Sequence, residues 1–582
     1  MYNLERLTFR FAEFNILKSV QKLFSLFILL STLISFAQEE IPQNYFIKPL
    51  KIPTLLAGSF GELRSNHFHS GLDIKTQGRT GLDVVASASG YVSRIKISHY
   101  GYGKALYITH PNGYVTVYGH LDAFAGVVKD YVKTKQYEAE SYEIELFPNP
   151  DELPVDQGQL VAYSGNTGSS GGPHVHFEIR DKNERPMNAQ LFGVEVPDHS
   201  APIINDLLVY ALSDTSTVNN SRNKVRLKYT KQPDGNFLSE KVTAYGPIGF
   251  AIGTIDRQDG SPNSNGIYKI ETRLNGSKTL EVEMDKFSFA ETRYLNRMID
   301  YALFESERDR VQKLFIERNN PLSIFKMEQN KGILNLSKEG GSALYTIKIS
   351  DLPGNTKTLT VPITIQKVNT VNPFMPKETS YLVQPETAQN FEVGSWSLFI
   401  PKGAFYDDYY LDIKANTDAL HLDQDTIPVH EYIRLGYDVS AFKPQDRERL
   451  YIGRVNSRGL LSYEGATLNG DELSATVNSL GDFKMGLDTT GPSIESLDFK
   501  DGKWISELKH IDFKISDRDT GIKSYRATIN GKFALLEYEY KNNRLRYFFE
   551  DGISVSGAND FKLIVTDNVG NSTTFSATFY RK

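Results

Sequence analysis

The sequence predicts a mainly β protein: an N-terminal antiparallel β domain, followed by β-sandwich modules, one of them with a helical insertion. Three observations point there. Phe and Tyr number 34 and 32, and aromatic content reaches 12%, which suits half-buried pleated surfaces. Short alternating runs are separated by Gly, Asn and Asp, the punctuation of hairpins. A β pattern beyond Pro197 occurs twice, so one unit is duplicated. At 582 residues the chain is too long for one core, and length predicts about four domains.

Residues 1–37 read as a signal peptide. Arg6, Arg10, Lys18 and Lys22 precede the apolar run Leu23 to Ala37, whose small residues Ser35 and Ala37 lead into polar Gln38-Glu39-Glu40. The run is shorter than the roughly 20 apolar residues that span a bilayer. The expected mature chain therefore starts at Gln38, has no transmembrane segment, and is exported: periplasmic, in the cell envelope, or secreted. Net charge is −6, from 65 basic and 71 acidic residues, so no overall field favours nucleic acid. Cys is absent. That excludes disulfides and thiolate ligands, and any metal must be held by His and carboxylate.

Residues 43–197 form the first predicted domain, with short strands around Asp83 to Ala86, Gly90 to Ile95, Ala105 to Ile108, Tyr114 to Tyr118, Gln159 to Tyr163 and Val175 to Ile179. Within it, residues 127–155 are polar, rich in Glu and Tyr, and end in Pro148-Asn149-Pro150. They are expected to form a surface excursion rather than core. In the duplicated unit, Asp256-Arg257 leads to Gly266-Ile267, Asn275-Gly276 and Asp351-Leu352-Pro353-Gly354-Asn355. Asp517-Arg518 leads in the same way to Gly521-Ile522, Asn530-Gly531 and Asp567-Asn568-Val569-Gly570-Asn571. The Asn-Gly pairs are hairpin turns, and the repeated design predicts immunoglobulin-like sandwiches at 200–366 and 491–582. In the first copy Ser288-Phe289-Ala290-Glu291 is a capping box, and Leu295, Met298, Ile299 and Ala302 continue at helical spacing. A helix packed on its own domain is expected. Residues 370–488, around Trp396 to Tyr406, form a further β-rich domain whose role is not legible. Asp488-Thr489-Thr490-Gly491-Pro492 has linker composition.

The chemistry lies in the first domain. His174 and His176 stand at i and i+2 on a predicted strand and face the same side, while Asp73, four residues after His69, can close on the same point. A His/Asp/His set leaves one position of Zn²⁺ open for water, which marks a catalytic site rather than a closed structural one. Zinc-dependent hydrolysis is the expected chemistry.

Residues 58–181 resemble the lysostaphin/LytM-type zinc metallopeptidases, the duplicated-hybrid-motif peptidases. The resemblance runs through Phe60-Gly61, His69-x-Gly71-x-Asp73, Gly81-x-x-Val84-x-Ala86, Gly90-x-Val92, Thr116-x-Tyr118-Gly119-His120-Leu121, Gly165-x-Thr167-Gly168 and His174-x-His176-Phe177. It implies that His69, Asp73 and His176 ligate Zn²⁺, and that His174 and His120 flank the attacking water as general base and oxyanion donors, in an order left open. For His120 the alternative is a residue that only orients a ligand. The implied substrate is the peptide stems and cross-links of bacterial peptidoglycan. His110 is expected to stabilise a turn, and His67 and His99 to lie outside the site. The Gly165 to Gly172 loop lacks the Lys-Ser/Thr ending of a phosphate cradle and is read as presenting the His pair. Two other functions compete: a catalytically silent LytM-like regulator of another wall hydrolase, and an envelope scaffold or adhesion protein with partners at its C-terminal β modules.

Overall fold

The computed structural model describes residues 41–368 and 378–582; the expected signal peptide lies outside them. The described residues are mainly β, as the sequence predicts. No helix among them is long and apolar enough to cross a membrane.

The N-terminal part is built on one antiparallel path of strands: Leu56–Gly58, Leu72–Lys75, His174–Arg180, Val115–Leu121, Lys104–Thr109, Gly90–Ile97 and Ile144–Leu146. A smaller sheet of Asp83–Val85, Leu160–Tyr163 and Ala123–Phe124 accompanies it. Alternation decides which side chains go where. Val175, Phe177 and Ile179 enter the hydrophobic core with Leu72, Ile74, Val92, Leu106 and Tyr118. His174, His176 and Glu178 take the opposite face, yet they too are buried.

Residues 127–155 correct the expectation of a bare excursion. Gly126–Ala139 is an α-helix whose Val128, Val132 and Gln136 are buried, and Ile144–Leu146 extends the sheet by pairing with Gly90–Ile97. Three inward positions spaced by four residues suffice to seat a helix. The other side of that helix meets the C-terminal module. Lys133 pairs with Asp551 at 2.9 Å, and the Tyr137 hydroxyl donates to Asp551 Oδ2 at 2.7 Å.

Residues 203–365 form a connected network of thirteen strands. The long strand Val242–Ile255 serves two layers. Its first residues run parallel to Ile363, Thr364 and Ile365, whereas from Gly246 onward it pairs with Leu334–Leu336, Ile203–Ala211 and Val311–Lys313. Gly246 stands at the change of partner with φ +80°, a conformation open to glycine without a Cβ penalty. The predicted helix of this module is broken. A 3-10 turn at Thr292–Tyr294 and one α turn at Leu295–Met298 precede extended Ile299, and a second helix occupies Tyr301–Glu307. Asp300 causes the restart: its side chain accepts from Leu303 N at 3.1 Å, a cap that a helix interior could not use. The Glu291 carboxylate reaches back to Ser288 N at 2.6 Å, as in a capping box, while Ser288 Oγ accepts from Ala290 N.

Two five-stranded sheets and a two-stranded ribbon follow between Tyr381 and Leu487, closed on fully buried Trp396 and Phe483. The last module stacks a four-stranded sheet against a five-stranded one, with Phe513 and Phe561 face to face at 4.8 Å. Both Asn-Gly pairs turn their hairpins at positive φ.

Gly71 tests the tight joint between the loop bearing His69 and the strand bearing His176. A Cβ there would lie 2.4 Å from the Phe177 carbonyl oxygen and 3.0 Å from His176 Cε1. Gly71→Ala should therefore destabilise the N-terminal domain by about 1–3 kcal/mol, seen as a lowered midpoint for its unfolding transition.

Candidate metal centre

Register brings the site together. His176 is the direct cross-strand partner of Asp73 on one side and of Gly119 on the other. His69 sits in the preceding loop, held by Gly61 N donating to its carbonyl and by its own N–H donating to Glu62 O, both at 2.9 Å.

The ring nitrogens are sorted by their partners. His69 Nδ1 donates to Ser59 O at 2.7 Å, which leaves Nε2 as a lone-pair donor toward the site. His176 Nε2 donates to Glu178 Oε1 at 2.8 Å, which leaves Nδ1. His69 Nε2, Asp73 Oδ1 and His176 Nδ1 then form a triangle with sides of 3.0, 2.9 and 3.1 Å. Tetrahedral zinc with bonds of about 2.0–2.1 Å sets ligand atoms roughly 3.3 Å apart, so the triangle is within a few tenths of that spacing. Three electron-pair donors facing one point at this distance fit a cation, and imidazole with carboxylate suits zinc.

Electrostatics supports the same fit. Burial pushes the Asp73 carboxyl up, but His69, then His174 and His176, hold it well below the usual carboxylate range. Arg64 Nη2 neutralises its other oxygen at 3.1 Å. Burial also opposes charge on His176, yet hydrogen bonds to Asp73 and Glu178 outweigh it and raise this imidazole to about 9. A proton on His176 and a metal ion are thus competitors for the same place.

The two auxiliary imidazoles stand beside the triangle. His174 is tethered through Nδ1 to Gly172 O at 2.8 Å and to Ser170 Oγ at 3.2 Å. Its Nε2 lies 3.3 Å from Asp73 Oδ1 but makes no hydrogen bond among the described residues. His120 donates from Nδ1 to Thr167 O at 2.8 Å, and its ring centre is 4.7 Å from that of His174. Its backbone is left-handed, φ +59°, uncommon for a residue with a Cβ and a form of strain that collects at functional sites. Burial, then the neighbouring His176 and His174, lower His120 to about 3. It is therefore neutral at ordinary pH.

All five residues singled out in the sequence converge. The other histidines of this domain do not. His110 bridges Ser89 O and Thr116 Oγ1 and also holds a turn through Gly113 N. His99 stacks on Tyr142 at 5.5 Å, and exposed His67 contacts Ser65 O. What sequence reasoning missed is Glu178, fully buried. It accepts from Ser70 Oγ at 2.7 Å, Arg180 Nε at 2.6 Å and the Tyr102 hydroxyl as well as from His176. Burial opposes its ionisation, but Arg180 and His176 keep it below the usual carboxylate range. Its signal was the strand period: position 178 faces the same side as 174 and 176.

The loop that bears His69 and the loop that precedes His174 are both braced from outside the domain. Lys541 of the last module donates to the carbonyls of Asn166 and Ser170, on the loop before His174, and Tyr540 packs on Tyr100 at 4.6 Å. On the opposite rim Phe68 N donates to Thr292 Oγ1 at 2.7 Å, and Asn296 Nδ2 to Asn66 Oδ1 at 2.8 Å.

Residues 67–143 and 151–189 match peptidase family M23. This region is an M23 peptidase domain. The gap between the matched segments, 144–150, falls where the extra strand Ile144–Leu146 joins the sheet. Residues 380–488 match a Zu5-like domain. The chain is 31% identical over 160 residues to the DD-carboxypeptidase/endopeptidase Mpg of Neisseria meningitidis, covering 27% of this chain and 30% of that protein. It is 33% identical over 121 residues to the peptidoglycan DD-endopeptidase ShyB of Vibrio cholerae, covering 21% and 22%. It thus spans less than a third of these relatives' lengths. Among solved structures, a zinc-containing peptidase from Vibrio cholerae is 26% identical, with 25% of this chain and 40% of that one covered and a TM-score of 0.19. All the predicted site residues lie inside the M23 segments.

Glu178→Gln removes the charge that fixes the His176 ring while keeping its size. It should weaken zinc binding by about 10–100-fold, measured by chelator competition. In the wild type, affinity should rise about tenfold per pH unit up to about 9, where His176 loses its proton, and then level off.

Proposed function

We propose that this chain is a zinc metalloendopeptidase that hydrolyses peptide cross-links of bacterial peptidoglycan outside the inner membrane. The observation that carries this reading is the triangle of His69, Asp73 and His176, with two further imidazoles beside it. Bound zinc would supply Lewis acidity, lowering the pKa of water and polarising a carbonyl. The chain's own groups do the rest. With Nδ1 of His120 donating to Thr167 O and Nδ1 of His174 to Gly172 O, each ring in its neutral form carries its lone pair on Nε2, and His174 Nε2 lies 3.3 Å from Asp73 Oδ1. In that form either Nε2 can accept the proton of an attacking water, and the ring that has accepted it can then donate to a tetrahedral oxyanion. Glu178 holds the ligand His176 in one tautomer. Arg64, paired with Glu62 and Asp73, offsets the charge of the ligand carboxylate.

The wall as substrate is supported by the names of the relatives, a DD-carboxypeptidase/endopeptidase and a peptidoglycan DD-endopeptidase, and by the export signal read in residues 1–37. The ligand set is complete, which weighs against a catalytically silent regulator.

Purified protein starting at Gln38 should hold about one zinc at this centre and release cross-linked muropeptides from peptidoglycan, identified by mass spectrometry. His174→Ala should keep the metal and lose about 10²–10⁴-fold in turnover. Zinc-loaded wild type that releases no muropeptides would support the regulator instead, and loss of zinc from His174→Ala would place that residue among the ligands.

A further inference from the structure

A second convergence of acidic side chains lies where the first β module meets the M23 domain. Asp198, Asp256 and Asp351 each offer an oxygen within 4.8 Å of the others. Asp256 and Asn265 face one another through reciprocal backbone hydrogen bonds of 2.9 and 2.8 Å. The two residues are only 6% and 5% exposed, and Oδ1 of each has no hydrogen-bond partner among the described residues. All four residues border a cavity of about 30 Å³, room for a single small occupant. A buried carboxylate oxygen with no donor is costly unless a cation or proton meets it. The charges acting on Asp256 make this worse: burial, then Asp198 and Asp351, raise it to about 7.

The duplicated module supplies an internal control. Asp488, Asp517 and Asp567 occupy the same places in the last module, and Asn571 Nδ2 donates to Asp488 O as Asn355 Nδ2 does to Asp198 O. There the protein satisfies its own carboxylates. Asp517 Oδ1 accepts the N–H groups of Asp519, Thr520 and Gly521, and Asp488 Oδ2 accepts Thr520 Oγ1 at 2.8 Å. In the first module the loop after Asp256 is longer, nine residues before Gly266 against three before Gly521. It gives the Asp256 carboxyl a single backbone hydrogen bond, from Arg257, leaves Oδ1 without a partner among the described residues, and adds the unpartnered oxygen of Asn265.

We propose that Asp198, Asp256, Asp351 and Asn265 bind one divalent cation of the Ca²⁺ class. The set is all oxygen, mixes carboxylates with an amide, and lies on irregular loops, which suits Ca²⁺ and not zinc. Asp351 is already oriented, its Oδ1 accepting Gly354 N and Asn355 N at 2.8 and 2.7 Å. The place in the fold gives the ion a task. The Asp256 loop is sewn to the M23 domain by Gln258, whose Oε1 accepts Leu56 N and whose Nε2 donates to Thr54 O, and by Ser261 Oγ donating to Leu56 O. Ser59, which also borders the cavity, carries the carbonyl that fixes His69. The ion would fasten the module to the segment that orients a ligand of the other centre, whether or not that centre is catalytic.

The test uses the full chain, saturated with zinc so that only oxygen sites remain. Terbium luminescence excited through tyrosine, with Tyr268 at the cavity wall, should report one site displaced by Ca²⁺. Ca²⁺ in excess should raise the unfolding midpoint by about 3 °C or more. Asp256→Asn should unfold higher than wild type without Ca²⁺ and lose both the terbium signal and the Ca²⁺ shift, whereas Asp517→Asn should respond as wild type. Should Asp256→Asn fail to fold, Asn265→Ala should weaken Ca²⁺ about tenfold. Wild type with no displaceable signal and no shift, an Asp256→Asn protein that still responds, or loss of the response in Asp517→Asn would each overturn the assignment.

Discussion

The pairing register of the strand His174–Arg180 is the constraint on which the rest of this structure depends. One neighbour sets Asp73 opposite His176, and the other sets Gly119 there. Because side chains alternate with a period of two, a slip by one residue would turn His174, His176 and Glu178 into the core and Val175, Phe177 and Ile179 outward. The apolar face and the chemical face therefore specify one another. Packing energy from the three core residues is what keeps the imidazoles aimed at Asp73.

That arrangement places an unusual density of charge under cover. Asp73 and Glu178 sit on either side of His176, with Arg64 beyond one and Arg180 beyond the other. Each carboxylate is met by both an imidazole and a guanidinium, so burial does not neutralise it. The alternation of sign runs through the sheet from partly exposed Arg64 inward to buried Arg180. It fixes the nitrogen that His176 presents, and a metal arriving there replaces a proton on a ring already oriented.

Much of this was legible in the sequence because it is local. His174 and His176 are two residues apart, His69 and Asp73 four apart, and both Asn-Gly turns are adjacent pairs whose geometry hardly depends on context. Glu178 was in plain sight two residues on, but a Glu on a strand ordinarily reads as solvated, and only Arg180, Tyr102 and Ser70 together make it a buried one. The helix Gly126–Ala139 was hidden by its polarity, since Val128 and Val132 are its few inward apolar residues. Apolar spacing around Leu295 to Ala302 suggested one continuous helix, while Asp300 favoured a fresh cap and split it. Contacts such as Lys541 with Asn166 join residues hundreds of positions apart and leave no trace in any local pattern.

The grip of Lys541 on the loop before His174 is made wholly through main-chain oxygens, those of Asn166 and Ser170. The lysine thus recognises the path of the backbone and is indifferent to which side chains the loop displays. Residues along that rim are at liberty to be tailored to whatever passes over them, while the clasp beneath stays the same. Holding and tasting are assigned to different atoms of the same few residues.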